Sequence, residues 1–154
     1  VTVDRTGEPT ARAQHGCLFC DRSAHTILGE SASWYIRLDA YPANPGHVEL
    51  VTKRHVVSTF DLDGAESAEL YGVLCYARNL VEAKVGRPDG WTIGINDGEA
   101  AGRSIDHLHV HLIPRHNGDV LDPRGGIRQC APNCDPDAWT GGDLTAHRDV
   151  HLEG

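Results

Sequence analysis

The hydrophobic positions of this chain change period along its length. Residues 33–41, "SWYIRLDAY", and 47–52, "HVELVT", alternate or are rich in β-formers, and "PANPG" between them has the proline and glycine of a connection. Runs of this length and composition predict two strands of an antiparallel hairpin. From Asp63 to Val85 the spacing switches: Leu70, Val73, Leu74, Ala77, Leu80 and Val81 recur at three and four residues. That period predicts one long helix ending near Gly86, and Asp63 with Glu66 resembles a capping box in which aspartate replaces serine or threonine. Beyond it, "WTIGIND" (91–97) and "HLHVHLIPR" (107–115) predict two more strands, the second stopped by Pro114, with "GEAAGRS" (98–104) as a loop of small residues between them.

The order β-β-α-β-β implies an α+β fold, an antiparallel sheet of about five strands with the long helix packed on one face. Residues 1–15 carry no periodicity and predict a flexible lead-in, 16–116 the folded domain, and 117–154, rich in glycine, proline and aspartate, an irregular tail.

Composition narrows the function classes. A chain of 154 residues is the size of one ordinary domain, with 40% hydrophobic residues and no apolar run long enough to span a membrane. The N-terminal stretch has no signal-peptide core, so the expectation is a cytoplasmic protein without a membrane partner. A net charge of -8 argues against nucleic acid as a partner, because non-specific affinity for it comes from cations that displace counterions. Five cysteines, an odd number, do not suggest a disulfide framework, which makes metal ligation the first reading of the close pairs.

The candidate chemistry concentrates in "SIDHLHVHLIPR", where His107, His109 and His111 alternate with Leu108, Val110 and Leu112. On a strand this puts three aliphatics on one face and three imidazoles on the other. Three readings are open: a merely polar strand face, a metal site, and nucleophilic catalysis. Successive same-face positions stand roughly 6.5 to 7 Å apart, so three of them would struggle to converge on one metal, although one could contribute. Nucleophilic attack by a neutral imidazole, with its neighbours orienting it and binding charge, fits the spacing best.

"HLHVHLI" resembles the His-x-His-x-His pattern of the histidine triad (HIT) family, and "NPGHVELVTKRH" and "NDGEAAGRS" upstream extend the resemblance over residues 39–115 in the family's order. The resemblance implies a nucleotide hydrolase or nucleotidyl transferase that forms a nucleotidyl-histidine at the α-phosphorus of a purine nucleotide. It implies His109 as the nucleophile, its second ring nitrogen held by an acceptor such as the His107 carbonyl. His111 would contact phosphoryl oxygens and His47 would support the triad. Asp39 would hold ribose hydroxyls. Asn96, Gly102 and Ser104 would contact phosphate, Ser104 also assisting the leaving group. Arg103 stands where glutamine is usual, which puts the preferred leaving group in question. A homodimer with joined sheets is also implied, with "DPRGGIR" (122–128) placed for exchange between subunits. Phosphorolysis, transfer to a sugar phosphate, and a non-catalytic nucleotide-binding module are the alternatives.

Cys17-x-x-Cys20 alone is ambiguous between zinc, redox chemistry and two core thiols. A subset of the family resembles this arrangement and completes a structural zinc site with residues that here are His55 and His107. A second ligand set in the tail, Cys130, Cys134, His147 and His151, has zinc-finger spacing, but the surrounding acidic residues and "GGD" disfavour it.

Overall fold

The computed structural model describes residues 14–131. They fall in two compact units, Val1–Asp119 and Val120–Gly154. In the first, five strands form one antiparallel sheet: β1 (Ile27–Glu30), β2 (Trp34–Leu38), β3 (Val48–Thr52), β4 (Gly90–Gly94) and β5 (His109–Arg115), in the order β1-β2-β3-β5-β4. The helix α1 (Gly64–Val85) lies between β3 and β4 in sequence and packs on one face of the sheet. In the second unit the described residues hold a short 3-10 turn, Gly126–Cys130, whose Cys130 is exposed. Cys134, His147 and His151 lie outside the described residues. No helix among the described residues is long and apolar enough to cross a membrane.

The alternation of each strand assigns the two sheet faces. Trp34, Ile36, Val48, Leu50, Val110 and Leu112 are buried against Val73, Ala77 and Val81 of α1, which makes this face the main core. Tyr35 and Val51 join Phe19 of the N-terminal segment in a second, smaller cluster. The helix begins where the sequence places it: the Asp63 side chain accepts from the Ala65 and Glu66 amides, and Glu66 accepts from the Asp63 amide at 2.9 Å. Glu66 does more than cap. Its carboxylate also binds Arg54 at 2.6 and 2.8 Å, and its carbonyl takes the Trp34 indole N–H, so the start of β2 and the residue before His55 are tied to the first turn of the helix.

Three sequence expectations need correction. The strand β1, "ILGE", is absent from the predicted order; it is short, half-exposed and irregular between Ile27 and Gly29, so it carries no period to detect. Pro114 does not stop β5, which runs on to Arg115. Its β3 neighbour reaches only to Val48, opposite Leu112, and the Pro114 carbonyl on that side accepts from Asn44 at 2.8 Å, so the missing N–H costs no ladder bond. Finally, His107 is not on the strand, which starts at His109.

Candidate active site and metal centre

The register of the sheet puts the triad in line with residues of two other strands. Tyr35 pairs with Val51 and Val51 with His109; one step along, Arg37 pairs with Glu49 and Glu49 with His111. These positions alternate with the helix-facing core residues and so occupy the face away from α1. His47 enters from the loop before β3, whose tight path requires Gly46: its φ is +87°, and a Cβ there would stand 2.9 Å from Val81 Cγ1.

Hydrogen bonds fix the tautomers of four histidines in turn. His109 Nδ1 lies 2.8 Å from the His107 carbonyl oxygen, an acceptor only, so Nδ1 carries the proton and Nε2 keeps its lone pair. The Ala43 amide donates to His47 Nδ1 at 3.2 Å, which leaves the His47 proton on Nε2. That N–H faces His111 Nδ1 at 3.0 Å, so His111 accepts there and carries its own proton on Nε2. One ring therefore presents a lone pair and its neighbour a donor, with ring centroids 4.9 Å apart. His107 Nε2 is committed to the Thr52 carbonyl oxygen at 2.8 Å, which frees Nδ1 as a ligand atom.

Burial keeps these rings neutral. Desolvation lowers the His47 and His109 pKa values below the ordinary imidazole value, and takes His107 and His111 down to about 4, with neighbouring histidines adding to the effect. Asp39 Oδ2 lies 3.5 Å from His47 Nε2 and 3.9 Å from His111 Nδ1, so the structure brings Asp39 to the paired imidazoles.

The phosphate-loop residues are differently placed. Asn96 and Ser104 are exposed, and neither side chain makes a hydrogen bond to another described residue. Gly102 adopts a left-handed conformation (φ +87°) after the turn Glu99–Ala101, with open space where a Cβ would lie. Arg103 is held by Asp106 at 3.0 Å and lies 3.8 Å from Asp97, which itself binds Ser58 and the Thr59 amide. Its charge reaches His109, where it disfavours protonation.

The second cluster is the metal candidate. His107 Nδ1 stands 3.4 Å from Cys17 Sγ and 3.6 Å from Cys20 Sγ, and His55 Nδ1 stands 3.4 Å from Cys20 Sγ. A tetrahedral zinc with ordinary bond lengths separates its sulfur and nitrogen ligands by roughly 3.6 Å, so the donor set fits that ion. All four donor atoms lie within 4.8 Å of one another. Burial raises the Cys20 thiol pKa, and the neighbouring Cys17 adds to it, a pairing that a bound cation would relieve. Asp39, His47 and His111, and likewise Glu49, His109 and His111, cluster as closely. In both of those groups His111 Nδ1 already accepts the His47 proton, so they read as a hydrogen-bonded network.

Sequence reasoning missed three residues on this face. Phe19, inside the Cys-x-x-Cys segment, meets the His109 ring edge-to-face at a centroid distance of 5.2 Å and lies 5.0 Å under the Arg37 guanidinium. Arg37 and Glu49 form an ion pair whose side chains are 8% and 6% exposed. The signal was present: the same alternation that sends Ile36 and Leu50 into the core sends Arg37 and Glu49 to the histidine face.

Comparison with known proteins agrees with this geometry. The family model described as "HIT domain" matches residues 22–118. An AP-4-A phosphorylase of Mycobacterium tuberculosis is 44% identical over 87 residues, 56% of this chain and 44% of that protein. A bis(5'-nucleosyl)-tetraphosphatase [asymmetrical] of Schizosaccharomyces pombe is 37% identical over 81 residues, 53% of this chain and 44% of its own length. The chain thus spans less than half of these two relatives. Among solved structures, a Zn-bound histidine triad family protein from Mycobacterium smegmatis superposes with a TM-score of 0.62 at 30% identity, covering 70% of this chain and 80% of that one.

Proposed function

The chain belongs to the HIT family, and from that premise we propose that it is a nucleotide hydrolase or nucleotidyl transferase acting at the α-phosphorus of a nucleoside phosphoanhydride or phosphoramidate. The observation that carries this reading is the run of tautomers on the face away from α1: a lone pair on His109 Nε2 beside a donor on His111 Nε2. His109 Nε2 attacks phosphorus, the bond to the leaving group breaks, and a nucleotidyl-histidine forms. The Nδ1–H bond to the His107 carbonyl supports the positive charge that develops on the ring. His111 Nε2–H donates to the phosphoryl oxygens as their negative charge grows. Water then attacks the same phosphorus and releases a nucleoside monophosphate from His109.

In this reading His47 holds His111 in the donating tautomer and Asp39 serves the ribose hydroxyls. Asn96, Gly102, Arg103 and Ser104 serve the phosphates, with Ser104 also helping the leaving group depart. Cys17, Cys20, His55 and His107 hold a structural zinc, which supplies a crosslink between the N-terminal segment and the residue whose carbonyl orients the nucleophile. The assembly proposed is a homodimer with its sheet continued across the interface, which pairs an edge that is otherwise open.

The names of the two enzyme relatives favour different acceptors, phosphate and water, so transfer to inorganic phosphate is the second reading. One assay separates them. Purified protein is given a panel of dinucleoside polyphosphates and nucleoside phosphoramidates, with and without inorganic phosphate. Nucleoside monophosphate released without phosphate supports hydrolysis; nucleoside diphosphate that appears only with phosphate supports transfer. Tight nucleotide binding with no product from any substrate contradicts both and leaves a binding module.

A further inference from the structure

The ion pair Arg37–Glu49 has no part in the steps above, yet it lies one strand from the triad. Glu49 pairs in register with His111, its Oε1 is 3.9 Å from His111 Nδ1, and Arg37 follows it on the next strand outward. Placing a carboxyl and a guanidinium on a largely buried sheet face is costly: burial pushes the Glu49 carboxyl up to about 7 against the pull of Arg37, and an apolar pair of similar size often serves stability as well or better. The cost is not fully offset within the protein. Glu49 Oε2 takes one Arg37 nitrogen, whereas Arg37 Nε is buried and has no hydrogen-bond partner among the described residues. Buried donors are rarely left in that state, so the unmatched N–H points to a ligand group.

We propose that Arg37 and Glu49 form a specificity element that reads the hydrogen-bonding edge of the substrate's base and selects guanine over adenine. The inference rests on the nucleotide reading above. Its geometry is that of a row across the sheet: phosphate chemistry at His109 and His111, then a carboxylate, then a guanidinium, two strand spacings from His111. Guanine places a carbonyl acceptor beside two N–H donors on one edge. A carboxylate accepts the two donors and a guanidinium N–H meets the carbonyl. Adenine offers no carbonyl and only one donor-bearing group on that edge, so it leaves either Arg37 or Glu49 mismatched. Phe19, under the Arg37 guanidinium and against His109, supplies an apolar wall beside the same row.

The test is equilibrium binding of GMP and AMP, by calorimetry, to the wild-type protein and to the double variant R37L/E49L. Removing both charges together avoids stranding one buried charge. Sites that hydrogen-bond a substrate group discriminate strongly against analogues that lack it, so wild type is expected to bind GMP at least tenfold more tightly than AMP, and the double variant to lose at least threefold of that ratio. A second variant, E49Q, keeps the side-chain volume and exchanges one acceptor oxygen for a donor; it is expected to lower the ratio in the same direction. A wild-type ratio below tenfold, or a ratio that both variants leave within threefold of wild type, overturns the proposal. Turnover with no base preference defeats this inference alone; a GMP preference without turnover of any substrate defeats only the catalytic reading; no binding of either nucleotide defeats both.

Discussion

His111 and His47 carry the pH dependence at the scale of single residues. Each works as a neutral ring: His111 accepts at Nδ1 and donates from Nε2, and protonating Nδ1 would break its bond from His47. Burial holds His111 at about 4 and His47 below the ordinary value of 6.5. A depressed pKa means that the neutral, competent form persists below pH 6.5 and is lost only as the pH falls further, through the folded-state values. The acid limb of kcat/KM, which reports groups of the free enzyme, is therefore expected below pH 6.5 and extending toward pH 4. Burial pushes the Glu49 carboxyl beside His111 up to about 7, so the limb is read in Glu49→Gln as well; a limb centred at or above 6.5 that persists in that variant counts against the assigned tautomers. Ser104 is exposed and makes no hydrogen bond within the described residues, as befits a group free to meet a ligand. Ser104→Ala is expected to reduce kcat, with a penalty that grows with the pKa of the leaving group. A penalty of equal size for all leaving groups would reduce Ser104 to positioning.

Among the elements, α1 is the best specified, and its capping box can be tested by itself. Asp63→Ala removes the acceptor of two helix amides and is expected to cost about 1 kcal/mol of stability with kcat unchanged, measured by denaturant unfolding and by assay. No loss of stability would mean that the Arg54–Glu66 and Trp34 bonds hold this end without the cap. The helix, β2, β3 and β5 were legible because each repeats a period over five or more residues, and His109, His111, Cys17 and Cys20 because their spacing is local. What escaped has a different cause. The four residues of β1 form a strand by pairing with β2 despite a register shift, information that resides in the partner. His107 belongs by spacing to the histidine row; that its ring turns to two cysteines preceding it by 90 and 87 residues was expected from the family resemblance alone and could not be read from the local spacing. Arg37 and Glu49 looked like ordinary polar positions of alternating strands. Only the joint register of β2, β3 and β5 shows that they line up with His111.

For the molecule as a whole, the two clusters are one device joined at His107: its ring faces the thiols while its carbonyl orients His109. The purified protein is expected to contain about one zinc per chain by elemental analysis, and Cys20→Ser to lose it. A structural zinc contributes on the order of 10 kcal/mol to folding in small domains, and a domain with its own core should lose only part of that, read as a lower Tm together with a lower kcat. Metal-free protein from a chelator-free preparation would leave Cys17 and Cys20 as core thiols. The central claim, however, is covalent chemistry at His109, and it is tested most directly by stopping the reaction during turnover and analysing the protein by mass spectrometry. The account predicts that wild type carries one nucleoside monophosphate on the peptide containing His109, and that His109→Asn carries none while still binding nucleotide. Turnover without any such adduct, or an adduct that survives in His109→Asn, would contradict it.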